Sequence, residues 1–381
     1  MQLIVLFLRA FWSFYFIFNV LLMKVVIRAG GVGSRLWPVS REQKPKQFHA
    51  LTSEKSMLEE AVDRVRPIVD FADIYISTNK ECVHLVQEYI QNISADHIIV
   101  EPERKDTAAA IGLESVILHK EDPESIVASL GSDHRVRRFV EFQRMLHIAE
   151  EFIRRYPNYI IPIGIRPTHP DTGYGYIQCG KVLDTLEGKN LWQVDRFTEK
   201  PALEEARRFL EQGEYLWNAN MFIWKVSTIL ELYKKFMPAM YEQLMEIQQA
   251  LGTKEEQKVI DRIYPQMEKI AVDYAIIEKT TKIAAISADI GWNDIGDWAR
   301  LKDELAESEQ ENIVIGAEHL PIKTYNTIVY GNKKKMIVTI GIKNMVIVDT
   351  GDALLVCDKY HSAAVKDVVQ KLKDRNKEQL L

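Results

Sequence analysis

The sequence predicts an α/β protein with two parts, a doubly wound Rossmann-like domain and a small C-terminal β-helix-like domain. Two observations lead to this prediction. Apolar runs alternate with helical patterns over the first 165 residues, and short β-rich runs separated by turn residues follow Asn312. The length of 381 residues suits one large domain and one smaller domain.

The first domain is predicted from buried strands that alternate with helices. In such a fold ligands bind at the carboxyl ends of the strands. The predicted strands cover residues 25–27, 74–77, 97–100, 126–129 and 159–163, and read as parallel. The predicted helices cover residues 81–91, 107–119 and 139–156, with Asp106 as N-cap of the second.

The C-terminal part is predicted from β-rich runs at residues 327–330, 336–340, 345–348 and 353–356, followed by a charged helix over 362–379. Between residues 165 and 298 the pattern is looser, and the charged stretch 304–311 reads as a junction. We therefore divide the chain into an extension at 1–22, a large domain at 23–305 and the β-helix-like domain at 312–381. We expect the β-rich end to pack on the large domain or to form a homodimer contact.

Composition and charge narrow the function classes. Apolar residues make up 47% and charged residues 27%, as in globular proteins, and the net charge is −5. Without a long basic run, this argues against nucleic acid as a partner. The three cysteines, Cys82, Cys179 and Cys357, are far apart and form no CxxC motif. This favours reduced thiols in a reducing, cytoplasmic compartment.

The N-terminus carries an uncharged apolar run from Ala10 to Met23. It is short for a membrane span, and Arg9 interrupts the longer version. No basic residue precedes the first apolar run and no small-residue cleavage site follows, unlike in a signal peptide. We expect a non-essential extension, with peripheral membrane attachment as the alternative.

The stretch AGGVGSRLWPVSREQKPKQF at 29–48 combines glycines with basic residues. A dinucleotide-binding turn requires a glycine where Leu36 stands, and a P-loop requires Gly-Lys-Ser/Thr, so neither template fits. Glycines nevertheless let the backbone N–H groups approach phosphate oxygens, and Arg35 adds a bidentate cation. The alternative is a tight turn with solvated basic residues.

This stretch resembles the signature of the sugar-1-phosphate nucleotidyltransferases, and RLWPVSR resembles the mannose-1-phosphate guanylyltransferase (GDP-mannose pyrophosphorylase) branch of that family. Seven further stretches are similar to family blocks in the same order. They are VEPERKDTAAAIGL at 100–113, GSDH at 131–134, TGYGYI at 172–177, FTEKP at 197–201, WNANMFIW at 217–224, VDYAIIEKT at 272–280 and GWNDIGDW at 291–298.

The resemblance implies an enzyme that transfers GMP from GTP to mannose 1-phosphate with Mg²⁺, giving GDP-mannose and pyrophosphate. The attacking phosphate oxygen is already ionised, so the chemistry needs alignment and charge neutralisation rather than a general base. By resemblance Asp133 and Asp294 hold the metal. Taken alone, Asp133 could be an N-cap and Asp294 a turn residue.

The resemblance also assigns the other site residues. Arg35 and Lys46 would neutralise the triphosphate, and Lys200 would hold the sugar phosphate. Only their positions in the motifs distinguish these three residues from ordinary surface cations. The nucleotide-binding residues would be Ala29, Gly30, Gly31, Gly33, Glu101, Pro102, Thr107 and Ser132. The sugar-binding residues would be Gly173, Glu199, Asn218 and Asp273. Glu101 either accepts from the guanine edge or shapes its loop.

Four residues depart from the family pattern. Arg28 replaces an apolar residue, Asn220 stands where glycine is common, and Asp106 and Ala109 replace the frequent Asn and Pro. The departure at Asn220 concerns the sugar pocket and so the preference for mannose. The departures at Asp106 and Ala109 concern the base pocket and so the preference for guanine. Two alternatives therefore stay open: another sugar 1-phosphate or nucleotide, and a non-catalytic regulatory homologue.

Overall fold

The computed structural model describes residues 21–381. Residues 1–20 of the predicted extension lie outside the described residues. Leu21 is buried, and its backbone N–H donates to the Ile68 carbonyl at 2.7 Å. In the described part of the chain, no helix is long and apolar enough to cross a membrane.

The strands, in chain order, are β1 (Met23–Arg28), β2 (Ile74–Asn79), β3 (Ile98–Glu101), β4 (Ile126–Gly131), β5 (Arg135–Val136), β6 (Ile160–Ile165), β7 (Tyr176–Leu186), β8 (Lys189–Thr198), β9 (Tyr215–Lys225), β10 (Ala284–Ala288), β11 (Trp292–Asn293), β12 (Ile313–Ile315), β13 (Glu318–Ile322), β14 (Ile328–Tyr330), β15 (Met336–Ile340), β16 (Met345–Asp349) and β17 (Leu354–Asp358).

The α-helices are α1 (Met57–Val65), α2 (Val83–Tyr89), α3 (Thr107–Glu121), α4 (Phe139–Arg155), α5 (Leu203–Gln212), α6 (Val226–Phe236), α7 (Pro238–Ala250), α8 (Glu256–Ile263), α9 (Val272–Ala275), α10 (Trp298–Leu305) and α11 (Val365–Asp374). The predicted N-cap of α3 is confirmed, since the Asp106 carboxylate accepts from the Thr107 N–H at 2.7 Å.

A nine-stranded sheet forms the centre of the large domain, and the predicted fold class is confirmed. Its order is β3-β2-β1-β4-β9-β6-β10-β8-β7, and β1 pairs in parallel with both β2 and β4. The carboxyl ends of β1 and β4 lie at the same edge of the sheet, and further strands extend on either side of this pair. This is the switch point of an open sheet, where ligands bind.

One part of the sheet differs from the prediction. β9 runs antiparallel between β4 and β6, so β6 has only β10 as a parallel partner. β9 comes from the stretch whose pattern is too loose to assign, and nearly all of its residues are buried. Its position brings the amide side chains of Asn218 and Asn220 to the centre of the sheet.

The C-terminal strands stack as the β-helix-like prediction requires. β12, β14 and β16 pair in parallel in one sheet, β13 and β15 pair in parallel in another, and β17 closes the first sheet in antiparallel fashion. The predicted terminal helix is shorter than expected and is flanked by 3₁₀ turns.

A third apolar core joins this unit to the segment after the glycines. Trp37 and Leu36 pack there with Trp298, Val346 and Val365. The Trp37 side chain also donates to the Leu380 carbonyl at 2.7 Å. The glycine-rich segment is therefore held from the C-terminal side as well as by the large sheet.

Candidate functional site

The glycine-rich turn after β1 is held through its carbonyl oxygens. The Gln47 amide donates to the carbonyls of Ala29 and Gly31 at 2.7 and 3.1 Å, and the Thr78 hydroxyl donates to Ala29 at 3.0 Å. Asn79 donates to the Gly30 carbonyl at 3.1 Å. With the carbonyl groups bonded to the protein, the turn offers its N–H groups to an anionic ligand.

Gly33 places Lys46 beside this turn. Its φ of 70° lies in the left-handed region, and a Cβ there would lie 2.9 Å from the Cβ of Lys46. Glycine is required for both reasons. The close approach brings the buried Lys46 side chain under the turn.

Five of the eight predicted nucleotide-binding residues line a cleft of about 330 Å³ at the ends of β1, β3 and β4. Its lining includes Gly30, Gly31, Glu101, Thr107 and Ser132. Glu101 is buried and accepts from the Tyr264 hydroxyl at 2.6 Å. Burial raises the pKa of Glu101 to about 6, against the opposing effect of this hydrogen bond. The group can therefore be ionised at neutral pH.

A two-stranded ribbon brings the predicted metal ligands together. β5 follows Asp133 and pairs antiparallel with β11, which precedes Asp294. Because Asn293 lies opposite Arg135, the two aspartates emerge side by side despite their distance in sequence. Both line a second cleft of about 390 Å³ with Gly33, Arg35 and Lys46. We call this the phosphate cleft.

Lys46 links the two aspartate loops. Its Nζ lies 2.9 Å from an Asp133 carboxylate oxygen and donates to the Asp294 carbonyl at 2.9 Å. Burial alone would raise the pKa of Asp133, but the Lys46 charge lowers it to about 2. The Asp133 carboxylate is therefore ionised at any pH at which the protein would work.

Arg35 and Lys366 also line the phosphate cleft, and both are exposed. Among the described residues neither side chain has a hydrogen-bond or ion-pair partner. Lys366 belongs to α11, which packs against the 3₁₀ turn Ser34–Leu36. Two unpaired cations from different parts of the chain thus face one cleft, as an anionic ligand requires.

The Asp294 carboxylate is held by two further side chains. Arg300 donates to both of its oxygens at 2.7 and 2.8 Å, and the Tyr174 hydroxyl donates to one at 3.0 Å. Arg300 also donates to Asp171 at 2.7 Å. Burial raises the pKa of Tyr174, and the Asp294 charge raises it further, so the phenol stays protonated.

The predicted sugar-binding residues line a third cleft of about 210 Å³ that adjoins the other two. Its lining includes Gly173, Tyr174, Glu199, Lys200, Asn218, Asp273 and Asp294. The Asn218 amide donates to Asp273 at 3.0 Å, and Lys200 is paired with Glu199. Burial raises the pKa of Asp273, and the nearby Glu199 charge raises it further. Carboxylates and amides in this arrangement suit sugar hydroxyls.

The donor set between the clefts fits Mg²⁺. Two carboxylates, Asp133 and Asp294, offer oxygen atoms to the same cleft, and Mg²⁺ commonly takes one or two carboxylates and completes its shell with phosphate oxygens and water. Within residues 21–381, no group of three or more His, Cys, Asp or Glu side chains is placed to hold a metal by itself. The two carboxylates would therefore need oxygen atoms from water or from a ligand to complete the shell of a Mg²⁺ ion.

The three clefts contain every predicted site residue except Ala29 and Pro102. Ala29 serves the site through its carbonyl group, and Pro102 lines none of the clefts. Sequence reasoning missed Gln47, Tyr174, Arg300 and Lys366. Gln47 and Tyr174 lie inside quoted blocks, but Arg300 and Lys366 lie outside all of them, so no motif pointed to them.

Comparison with known proteins adds independent findings. The nucleotidyl transferase family profile matches residues 24–311, and the MannoseP isomerase/GMP-like beta-helix domain profile matches residues 317–372. The chain is 34% identical over 352 residues to a mannose-1-phosphate guanylyltransferase of Escherichia coli, covering 91% of this chain and 75% of that protein. It is likewise 34% identical to the enzyme of the same name from Salmonella muenchen, covering 92% and 74%.

Among solved structures, the fold is similar to a crystal structure described as mannose-1-phosphate geranyltransferase from Thermus thermophilus. The TM-score is 0.83 at 28% identity, and the match covers 93% of this chain and all of that one. The likeness extends through both the large sheet and the C-terminal strands.

Proposed function

The chain belongs to the nucleotidyl transferase family and is an enzyme, and from this premise we propose that it transfers GMP from GTP to mannose 1-phosphate. The products are GDP-mannose and pyrophosphate. One observation carries the proposal. The phosphate cleft, with its aspartates and unpaired cations, joins the cleft lined by Gly30 and Gly31, here called the nucleotide cleft, to the cleft lined by Asn218 and Asp273, here called the sugar cleft. A nucleotide and a sugar phosphate bound on either side would meet there.

The reaction is a direct displacement. A phosphate oxygen of mannose 1-phosphate forms a bond to the α-phosphorus of GTP as the bond to pyrophosphate breaks, so no proton has to be removed. No side chain acts as nucleophile or general base. The protein lowers the barrier by holding the two phosphates in line and by offsetting negative charge as it moves to the leaving group.

The cations divide this work. Arg35 and the glycine N–H groups would hold the β- and γ-phosphates, and Lys46 lies at the loops that bear the aspartates. Lys200, which lines the sugar cleft, would hold the phosphate of mannose 1-phosphate. Its pairing with Glu199 keeps the ammonium group in place before substrate binds.

Asp133 and Asp294 would hold Mg²⁺, and Arg300 and Tyr174 would orient the second of these carboxylates. When bound, the metal supplies positive charge to the phosphate oxygens. Lys46 and Arg300 balance the aspartates electrostatically until it arrives.

Carboxylates in the two substrate clefts would select the base and the sugar. The Glu101 carboxylate in the nucleotide cleft can accept from the N1–H and N2–H₂ groups of guanine, which adenine does not present together. Asn218 and Asp273 would take mannose hydroxyls. The names of the relatives support GTP and mannose 1-phosphate over other pairs.

A non-catalytic regulatory protein is the second candidate. It predicts a missing metal aspartate or active-site cation, whereas Asp133, Asp294, Arg35, Lys46 and Lys200 all line the joined clefts. This arrangement favours catalysis.

We also propose a homodimer through the β-helix-like unit, whose outward strand faces leave Leu320, Val338 and Ile340 exposed. Light scattering of the purified chain tests this directly. The cytoplasmic location inferred from the cysteines stays a prediction.

The proposed activity is tested by measuring pyrophosphate release with Mg²⁺ from each of the four nucleoside triphosphates, paired with mannose, glucose and N-acetylglucosamine 1-phosphates. We expect turnover with GTP and mannose 1-phosphate, and loss of turnover when the metal is chelated. Turnover with another pair would keep the reaction and change the substrates. A folded protein with no turnover on any pair would support the regulatory candidate.

A further inference from the structure

Two polar residues from different strands of the central sheet contact each other. Arg28, at the end of β1, donates from its guanidinium to the Asn220 carbonyl at 2.9 Å and to the Asn220 side-chain oxygen at 3.1 Å. Asn220 lies on β9, two strands away. The two side chains are therefore in direct contact across the sheet.

The contact fixes the orientation of the Asn220 amide. A guanidinium only donates hydrogen bonds, so the amide oxygen must face Arg28 and the amide nitrogen must face away. The Asn220 backbone N–H is also bound, since it donates to the Asn218 side-chain oxygen at 3.0 Å. Within the part of the chain that the structure describes, the Asn220 Nδ2 group has no hydrogen-bond partner.

Arg28 is itself held in place. It donates to the Ser129 hydroxyl, and that hydroxyl in turn donates to the buried Glu114 carboxylate at 3.3 Å. The guanidinium is thus fixed on β4 as well as on β9. It is built into the sheet at the switch point and is not a mobile surface cation.

The backbone at Asn220 has a φ of 52°, in the left-handed region. Glycine would adopt this conformation without strain, and asparagine tolerates it better than most residues. The chain therefore carries a side chain where the backbone favours having none. Strain of this kind is kept where surrounding contacts impose it, as Arg28 and Asn218 do here.

Asn220 also occupies a special place among the clefts. It lines the nucleotide cleft, the sugar cleft and the phosphate cleft alike. A group at this junction lies where the nucleotide phosphates and the sugar phosphate must approach each other. An unpartnered amide N–H group at such a point suits a phosphate oxygen.

We propose that Asn220 donates a hydrogen bond from Nδ2 to a phosphate oxygen of the reacting pair, and that Arg28 is the positioning residue that orients this amide. The inference rests on the proposed function. It adds a phosphate-binding residue for the transfer, and assigns to Arg28 a role exerted through Asn220.

The test compares Asn220→Gly and Asn220→Asp with the unchanged protein. Asn220→Gly removes the donor and relieves the backbone, so we expect kcat/KM to fall about tenfold to a hundredfold, as for one hydrogen bond to a charged group, without a lower melting temperature. Asn220→Asp replaces the donor with a carboxylate that repels phosphate, and its loss should be larger. Asn376→Gly is the control, because Asn376 is another left-handed asparagine that is exposed and lines none of the three clefts, and it should leave kcat/KM unchanged.

The role of Arg28 is tested by a double-mutant cycle. Arg28→Met alone should lower kcat/KM, because the amide is then free to turn. Arg28 also lines the nucleotide cleft, and its charge lowers the pKa of Glu101 and of Asp273, so its removal should cost activity in either background. In the Asn220→Gly background the loss should be clearly smaller, because no amide remains to be oriented. Losses that simply add, or an Asn220→Gly variant as active as the unchanged protein, would overturn the proposal.

Calorimetric binding of GDP-mannose with Mg²⁺ separates this inference from the proposed function. If the unchanged protein binds GDP-mannose and turns over, but Asn220→Gly matches it in both, the inference alone fails. If the unchanged protein neither binds GDP-mannose nor releases pyrophosphate, both fail. Weaker GDP-mannose binding by Asn220→Gly at equal thermal stability supports the inference.

Discussion

The Nζ of Lys46 lies 2.9 Å from a carboxylate oxygen of Asp133, inside the cleft that both residues line. The same ammonium group donates to the carbonyl of Asp294, so one cation touches both of the loops that bear the proposed metal ligands. Lys46 is buried, and its position depends on the glycine turn above it. Lys46 therefore connects both aspartate loops to the glycine turn.

Substituting Lys46 should damage catalysis. In Lys46→Met the side-chain volume is nearly kept, but the charge that we propose stabilises the leaving pyrophosphate is lost, and we expect kcat to fall about 10²- to 10³-fold. Lys44→Met in the same segment, which lines none of the three clefts, should stay within about twofold. Steady-state pyrophosphate release measures both. Equal losses in the two variants would show that the segment matters only for folding.

Substituting Gly33 should lower stability. In Gly33→Ala the new Cβ would meet Lys46 and the left-handed backbone would be strained, so we expect a loss of about 1–3 kcal/mol in the free energy of unfolding. Gly31→Ala is the matched control, because a Cβ there has nothing within 4 Å. Urea denaturation of both variants gives the comparison. Equal losses of stability in the two variants would show that neither the left-handed backbone nor the contact with Lys46 requires glycine at position 33.

The glycine turn shows how far sequence alone reaches. The glycine turn follows a strand, and the order of strands and helices places it at the switch point, so the sequence alone predicts a phosphate site there. The hydrogen bond from Gln47 to the Ala29 carbonyl cannot be predicted, because it depends on where the segment after Gly33 folds back. Nothing in the spacing of these residues reveals that return.

Nucleotide binding should depend on pH through Glu101. Burial raises its pKa to about 6 in the free protein, and in the proposed role only the ionised form would accept from guanine. We therefore expect the Kd for GTP to be constant above about pH 7 and to rise by up to tenfold per pH unit below 6. Calorimetric titration of GTP between pH 5 and 8 measures this.

Tyr264 provides the second arm of that experiment. Its hydroxyl donates to Glu101 and so lowers the carboxyl pKa. In Tyr264→Phe the pH midpoint of GTP binding should move upward, and in Glu101→Gln the pH dependence near 6 should disappear. A midpoint that stays near 6 in Glu101→Gln would assign the titration to another group.

Lys366 should contribute to binding rather than to chemistry. It is exposed and faces the phosphate cleft from the C-terminal helix, so Lys366→Ala should raise the Kd for pyrophosphate and the KM for GTP about fivefold, with kcat nearly unchanged. The effect should shrink at high salt. Lys371→Ala, on the same helix but outside the cleft, is the control. Equal effects of the two substitutions would show that Lys366 acts only through the overall charge of the helix and not through a contact in the cleft.

The contribution of Lys366 could not be predicted from sequence for a physical reason. It depends on the packing of α11 against the turn that bears Arg35, through a core in which Trp37 and Val365 meet. Apolar residues show that such a core forms but not which distant segments share it. Arg300 was missed likewise, since its role depends on Asp171 and Asp294 lying together.

The most direct test of the account is a crystal structure of the full chain with GDP-mannose and Mg²⁺. We predict guanine against Glu101, mannose against Asn218 and Asp273, the diphosphate beside Asn220, and the metal between Asp133 and Asp294. Guanine in the sugar cleft, a metal held away from both aspartates, or a ligand outside the three joined clefts would contradict the account.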